Sequence, residues 1–135
     1  MDEAKQQLVQ SWLIKAQHDL ATARKLAAEP EPYLDTAIYH CQQAAEKAVK
    51  GFLVFHDEEF EKSHNLPLLV TQATSKEAKF SERLDAAERL TPYATAFRYP
   101  GEVMEPERDE FDKAVQAAEE LYTFVLSLLP KEVHP

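Results

Sequence analysis

Glycine is nearly absent from this 135-residue chain, with Gly51 and Gly101 its only two. Loops that wrap a phosphate in backbone N–H groups need several residues without a Cβ, so Rossmann-type and P-loop nucleotide sites are excluded. Cysteine is scarcer still. Cys41 stands alone, which rules out an internal disulfide or a cysteine-based metal cage and suits a reducing compartment. Its apolar-periodic surroundings mark it as core. No apolar run approaches the ~18 residues of a membrane span, and the N-terminus alternates Gln, Lys and Glu where a signal peptide would be apolar. A cytoplasmic protein that does not enter a membrane is therefore expected. Positive charge is also in deficit, with 15 Lys+Arg against 24 Asp+Glu for a net −9. Such a surface repels a nucleic-acid backbone except at a local basic patch, so general DNA binding is not expected. HExxH, GxSxG and any Cys/His ligand set are missing, so the sequence calls for no metal, no cofactor and no serine triad.

What is present is helical periodicity. Val9, Trp12, Ala16, Leu20, Ala23 and Ala27 recur at three- and four-residue spacing until Pro30 and Pro32 stop the pattern. A second helix is expected from Leu34 to Phe55, carrying Leu34, Ala37, Ile38, Cys41, Ala45, Ala48, Phe52 and Phe55, and ending at Asp57-Glu58-Glu59. Between Ser63 and Ser75 the spacing predicts a short helix with Pro67 in its first turn, Asn65 or Ser63 as cap, and Leu66, Leu69, Val70 and Ala73 facing inward. Ser81 opens a further helix in N-cap fashion through Leu84, Ala87 and Leu90. Thr91-Pro92 interrupts it, either as a kink or as the start of a second short helix reaching Phe97, and Pro100 forces an end by Tyr99. The last helix has acids in its first turn, then the stripe Phe111, Val115, Ala118, Tyr122, Val125 and Leu129, closed by Pro130. Sustained two-residue alternation is missing, so no strand is expected. The fold class that follows is all-α, an up-and-down antiparallel four-helix bundle with one additional short helix. One domain covers 1–130, and 131–135 is expected to be a flexible tail.

Two polar constellations stand out. His40, Gln43, Lys47 and Lys50 line one stripe of the second helix, with Gln42 and Glu46 beside it. Such a stripe is either a solvated face supported by the Glu46–Lys50 pair at i,i+4, or an anion site on a rigid helix. In the second, Arg98-Tyr99-Pro100 places a guanidinium at a helix end and follows it with a residue held extended by proline. Arg98 either bonds the last carbonyls of its own helix or clamps a phosphate or acidic partner. His64 precedes the short helix, where a structural hydrogen bond is the commoner role. Asp19, seven residues after Trp12, falls near the inward face, and a buried carboxylate there needs a partner such as Arg98 or Lys47. Glu105, Glu107, Asp109, Glu110 and Asp112 make an acidic start to the last helix, a contact surface for a basic partner.

These residues together resemble a known family. Trp12, Ala16, Asp19-Leu20 and Ala23 in the first helix, the run His40-Cys41-Gln42-Gln43-Ala44-Ala45-Glu46-Lys47-Ala48-Val49-Lys50, then His64-Asn65-Leu66 and Arg98-Tyr99-Pro100, are similar to the HEPN domain (higher eukaryotes and prokaryotes nucleotide-binding) over roughly residues 8 to 129. The resemblance implies a helical bundle that forms a homodimer. In stand-alone prokaryotic members it also implies pairing with a minimal nucleotidyltransferase in toxin–antitoxin-like modules. His40, Gln43, Lys47, Lys50, His64 and Arg98 match family positions and are the expected contacts to a nucleotide, another anion or a partner, with Trp12, Asp19, Glu46 and Tyr99 in support. Ribonuclease members carry an Arg followed, after four to six residues, by a His. After Arg98 that window holds Val103, Met104 and Glu105, and no other arginine has a histidine there either. No catalytic residue is therefore assigned, and a non-catalytic binding module is expected. The alternatives are a ribonuclease toxin with an unusual site, using Arg98 with His64 or His40, and a structural adaptor that binds no small ligand.

Overall fold

The computed structural model describes residues 1–62 and 64–135. The chain is all-α, with five α-helices among the described residues: α1 (Glu3–Ala28), α2 (Leu34–Phe55), α3 (Leu66–Thr74), α4 (Leu84–Leu90) and α5 (Arg108–Ser127). Short 3₁₀ turns fill Ala78–Arg83, Thr91–Ala94 and Lys131–Val133. No strand occurs among the described residues, and none of the helices is long and apolar enough to cross a membrane.

Helix α2 is the axle of the bundle. It packs most extensively on α1, then on α5, and also meets α3, α4 and the turn at Thr91–Ala94. As a result 15 of its 22 residues are buried, against seven of 26 in α1. Gly51 permits part of this closeness, since a Cβ there would lie 3.2 Å from Trp12 Cβ and 3.4 Å from Leu13 Cδ2. The ring cluster Phe52, Phe80 and Phe124 ties α2 through the Ala78–Arg83 turn to α5, with centroids 4.7 and 4.9 Å apart. Cys41 is fully buried, as expected, and burial pushes its thiol pKa up to about 12.

The ends of the helices explain where the sequence reading holds. Helix α2 spans the expected Leu34–Phe55. Asn65 caps α3, its Oδ1 accepting from Leu68 N–H at 3.1 Å, with Pro67 in the first turn; the other cap candidate, Ser63, lies outside the described residues. Leu66, Leu69, Val70 and Ala73 all face inward.

Three local expectations need correction. Ser81 does not cap a helix but sits inside a 3₁₀ turn, and α4 begins only at Leu84 without a side-chain cap. The turn takes over because Phe80 is fully buried, which anchors the chain one residue before the proposed cap. At Thr91-Pro92 the chain neither kinks nor runs helically to Phe97. It forms a 3₁₀ turn that ends at Ala94, and Phe97 adopts a left-handed φ of 66°. The tail expected to be flexible over 131–135 is instead tied down. Val133 is fully buried, and His134 Nε2 reaches the Leu126 and Leu129 carbonyls at the end of α5, at 2.9 and 3.0 Å. Gln6 and Gln10 of α1 donate to the Glu132 and His134 carbonyls at 3.2 and 2.9 Å.

Candidate functional site

The polar stripe of α2 is not a solvated face. Gln42, Gln43, Glu46 and Lys50 are all buried, and in such surroundings each polar group needs a partner. Those partners form two carboxylate centres.

The first centre is built on Asp19 of α1. His40 Nδ1 lies 2.7 Å from Asp19 Oδ1, and Lys47 Nζ donates to Asp19 Oδ2 at 2.6 Å. Burial alone would push the Asp19 carboxyl up, but the hydrogen bonds from His40 and Lys47 together outweigh it and hold the group below its ordinary value. Of the two partners considered for Asp19, Lys47 is the one present; Arg98 is elsewhere. His40 and Lys47, seven residues apart, are two turns apart on one face, so a single carboxylate from α1 can reach both.

The second centre is built on Glu46, which is 3% exposed. Its Oε1 accepts from Gln42 Nε2 at 3.2 Å and faces His64 Nδ1 at 2.8 Å, while Oε2 accepts from Lys50 Nζ at 3.2 Å. Gln43 joins through Gln42, donating from Nε2 to Oε1 at 2.7 Å. The Lys50 ammonium also lies 5.8 Å from the Trp12 ring centre and 5.4 Å from that of Phe60, and these two rings meet edge to face. Trp12 therefore covers this centre and is only half-buried, its place in the α1 stripe being taken by Leu13.

A cleft of about 230 Å³ opens beside the first centre, lined by Asp35, Thr36, Tyr39, His40, Phe97 and Arg98. The Arg98 guanidinium lies over the Tyr39 ring, 4.1 Å from its centre. It has no ion pair and no hydrogen bond from its side chain among the described residues, so it does not cap its own helix end. The left-handed residue Phe97 turns the chain just before it. Asp35 Oδ1 accepts from the Thr36 N–H at 2.8 Å, which fixes the carboxylate at the start of α2. Because Nδ1 of His40 is held by Asp19, Nε2 is the ring nitrogen left to serve the cleft.

The structure thus sorts the expected residues into three places. His40, Lys47 and Asp19 come together, and so do Gln43, Lys50, His64, Glu46 and Trp12. Arg98 shares its cleft with His40 alone of the six, and Tyr99 is 71% exposed. Lys47 and Lys50, expected as anion contacts, are both engaged by carboxylates. Sequence reasoning missed Asp35, Thr36, Tyr39 and Phe97. A signal for Thr36 existed, since it lies four residues before His40 and extends the same helical stripe by one turn. No group of three or more His, Cys, Asp or Glu among the described residues could hold a metal ion.

Comparison with known proteins defines the class. A family model for the HEPN domain matches residues 9–129. This protein belongs to the HEPN domain family. Among solved structures, ST0689, an archaeal HEPN homologue, is 28% identical with a TM-score of 0.69, over 89% of this chain and 96% of the other. The protein TT1696 from Thermus thermophilus is 22% identical with a TM-score of 0.79, over 91% and 99% of the two chains, and shares the fold. No curated protein matches the chain.

Proposed function

We propose that this HEPN domain binds the phosphate of a nucleotide in the cleft between the start of α2 and the turn before Arg98, and that it does so without cleaving it. The observation that carries this reading is the Arg98 guanidinium, stacked on Tyr39 and unpaired among the described residues, in one cleft with His40. A planar guanidinium held against a ring presents its donors as a fork that matches two phosphate oxygens. The cleft offers one guanidinium and one imidazole as donors and also holds the Asp35 carboxylate, which disfavours the added negative charge of a triphosphate. Calorimetric titration with nucleoside monophosphates tests this. Arg98→Ala should abolish binding while changing stability by no more than about 0.5–1 kcal/mol, the value of an exposed cation–ring contact. Binding left intact in that variant would defeat the reading.

Family membership supports the remaining parts of the proposal, that the protein works in the cytoplasm as a homodimer and as the partner subunit of a minimal nucleotidyltransferase. The exposed side chains Tyr99, Val103 and Met104, flanked in the sequence by Glu102, Glu105 and Glu107, give a partner both apolar and acidic contacts in the segment after Arg98. Co-purification from the native cell, with and without Val103→Asp, checks this. A second reading, RNA cleavage, is favoured by the Asp19–His40 hydrogen bond, because a carboxylate on Nδ1 leaves Nε2 as the base-competent nitrogen. Incubation with RNA separates the two readings: cleavage that is lost in both His40→Ala and Arg98→Ala selects the second.

A further inference from the structure

The cleft contains a group that a pure phosphate site should not have, the Asp35 carboxylate. We infer that Asp35 reads the base of the bound nucleotide and selects guanine, an inference that rests on the nucleotide-binding reading above. An ionised carboxylate is an acceptor only, with two oxygens side by side. Guanine alone among the four RNA bases offers two adjacent donors on its Watson–Crick edge, N1–H and the N2 amino group. Adenine and cytosine place a ring-nitrogen lone pair beside their single amino group, and uracil flanks its one N–H with carbonyl oxygens. Each of these directs a lone pair at the carboxylate.

Three features prepare the site for this role. The Thr36 N–H holds Asp35 Oδ1 at 2.8 Å and the Thr36 hydroxyl approaches the same oxygen at 3.5 Å, a weak contact that rotation of the hydroxyl releases, so the carboxylate is oriented before a ligand arrives and Oδ2 faces no donor of the protein among the described residues. The walls are planar: Phe97 stacks on Tyr93 at an interplanar angle of 16° and lines the cleft, and the Arg98 guanidinium lies over Tyr39. Flat π-surfaces of this kind are what an unpaired base packs against. The volume, about 230 Å³, falls below the roughly 300–1,000 Å³ of pockets that enclose drug-sized ligands, so a bound nucleotide stays partly in solvent and a second unit has no room. The ligand class is a guanylate, free or within a single strand of RNA.

Calorimetric titration of the full-length protein with GMP, IMP, AMP, CMP and UMP tests the inference. GMP should bind about tenfold or more tightly than AMP, CMP or UMP, with IMP, which lacks the N2 amino group, in between. Asp35→Asn keeps an oxygen for the Thr36 N–H and should abolish the preference for GMP over AMP, while the lost negative charge beside the phosphate raises the affinity of both nucleotides alike, its thermal midpoint serving as the check on folding. An oligo-uridylate carrying one guanosine, compared with the same oligomer lacking it, distinguishes the RNA source from the free nucleotide. Equal affinities for all five nucleotides, with binding still lost in Arg98→Ala, would overturn the guanine inference and leave the phosphate site standing. Absence of binding by every ligand would overturn both.

Discussion

Asp19 and Glu46 are both buried carboxylates on the α2 interface, each holding one lysine and one histidine, yet it is the Asp19 centre whose imidazole, His40, lines the cleft beside Arg98. The difference lies in where the partners come from. Asp19 reaches across from α1, and both of its partners stand on α2, so the bond network joins two helices and leaves an imidazole edge at the surface. Glu46 and Lys50 belong to the same helix, one turn apart, with Gln42 behind them and the rings of Trp12 and Phe60 over the ammonium. Of the groups hydrogen-bonded to Glu46 among the described residues, only His64 arrives from outside α2, and it fastens the start of α3 to α2. One set of residue types therefore makes a lock in one place and an oriented site wall in the other.

Breaking the lock should have the largest effect. Glu46→Ala leaves the Lys50 ammonium buried without its counter-charge and Gln42 without its acceptor, which should cost about 3–5 kcal/mol in denaturant unfolding. Asp19→Ala removes two short charge-assisted bonds, but Lys47 and His40 are each about a quarter exposed and can turn to water, so a loss nearer about 2 kcal/mol is expected. That variant should also weaken nucleotide binding through His40, an effect that Glu46→Gln, measured in parallel, should not show.

Acid sharpens the contrast further. The Asp19 carboxyl is held below its ordinary value of 3.8, so the stability it contributes is fully present above that pH and is lost as the pH falls through the lower folded value. Below about pH 4 the unfolding midpoint of the wild type should therefore fall more steeply than that of Asp19→Asn. The smallest effect is expected at His64, whose side chain is 63% exposed and screened by solvent. His64→Ala should change stability by no more than about 1 kcal/mol. A loss as large as that of Glu46→Ala would show that the latch onto α3, not the Lys50 pair, carries the second centre.

Much of the site was legible in part. The three- and four-residue spacing of His40, Gln43, Lys47 and Lys50 marked one side of α2, and the inward position of Asp19 called for a cation, Arg98 or Lys47, of which it has Lys47. Burial was the property that spacing could not supply. A stripe of Gln, Glu and Lys has the pattern of a solvent-facing surface, and it becomes interior here because α2 is enclosed by α1, α5, α3 and the turn before Arg98. Asp35 and Tyr39 were passed over for the converse reason: nothing along the chain sets them against Phe97 and Arg98, which come from a turn some sixty residues away.

Local chemistry along the chain determined the helices, their caps and their breaks: Pro30 and Pro32 after α1, Asn65 and Pro67 at the start of α3, Pro130 after α5. These depend on backbone sterics and on hydrogen bonds between residues a few positions apart. Only the tertiary structure decided which charges neutralise one another and which stay available. That choice depends on distances across helices, and through it Lys47 and Lys50 were drawn onto buried carboxylates while Arg98 was left over Tyr39 in the cleft.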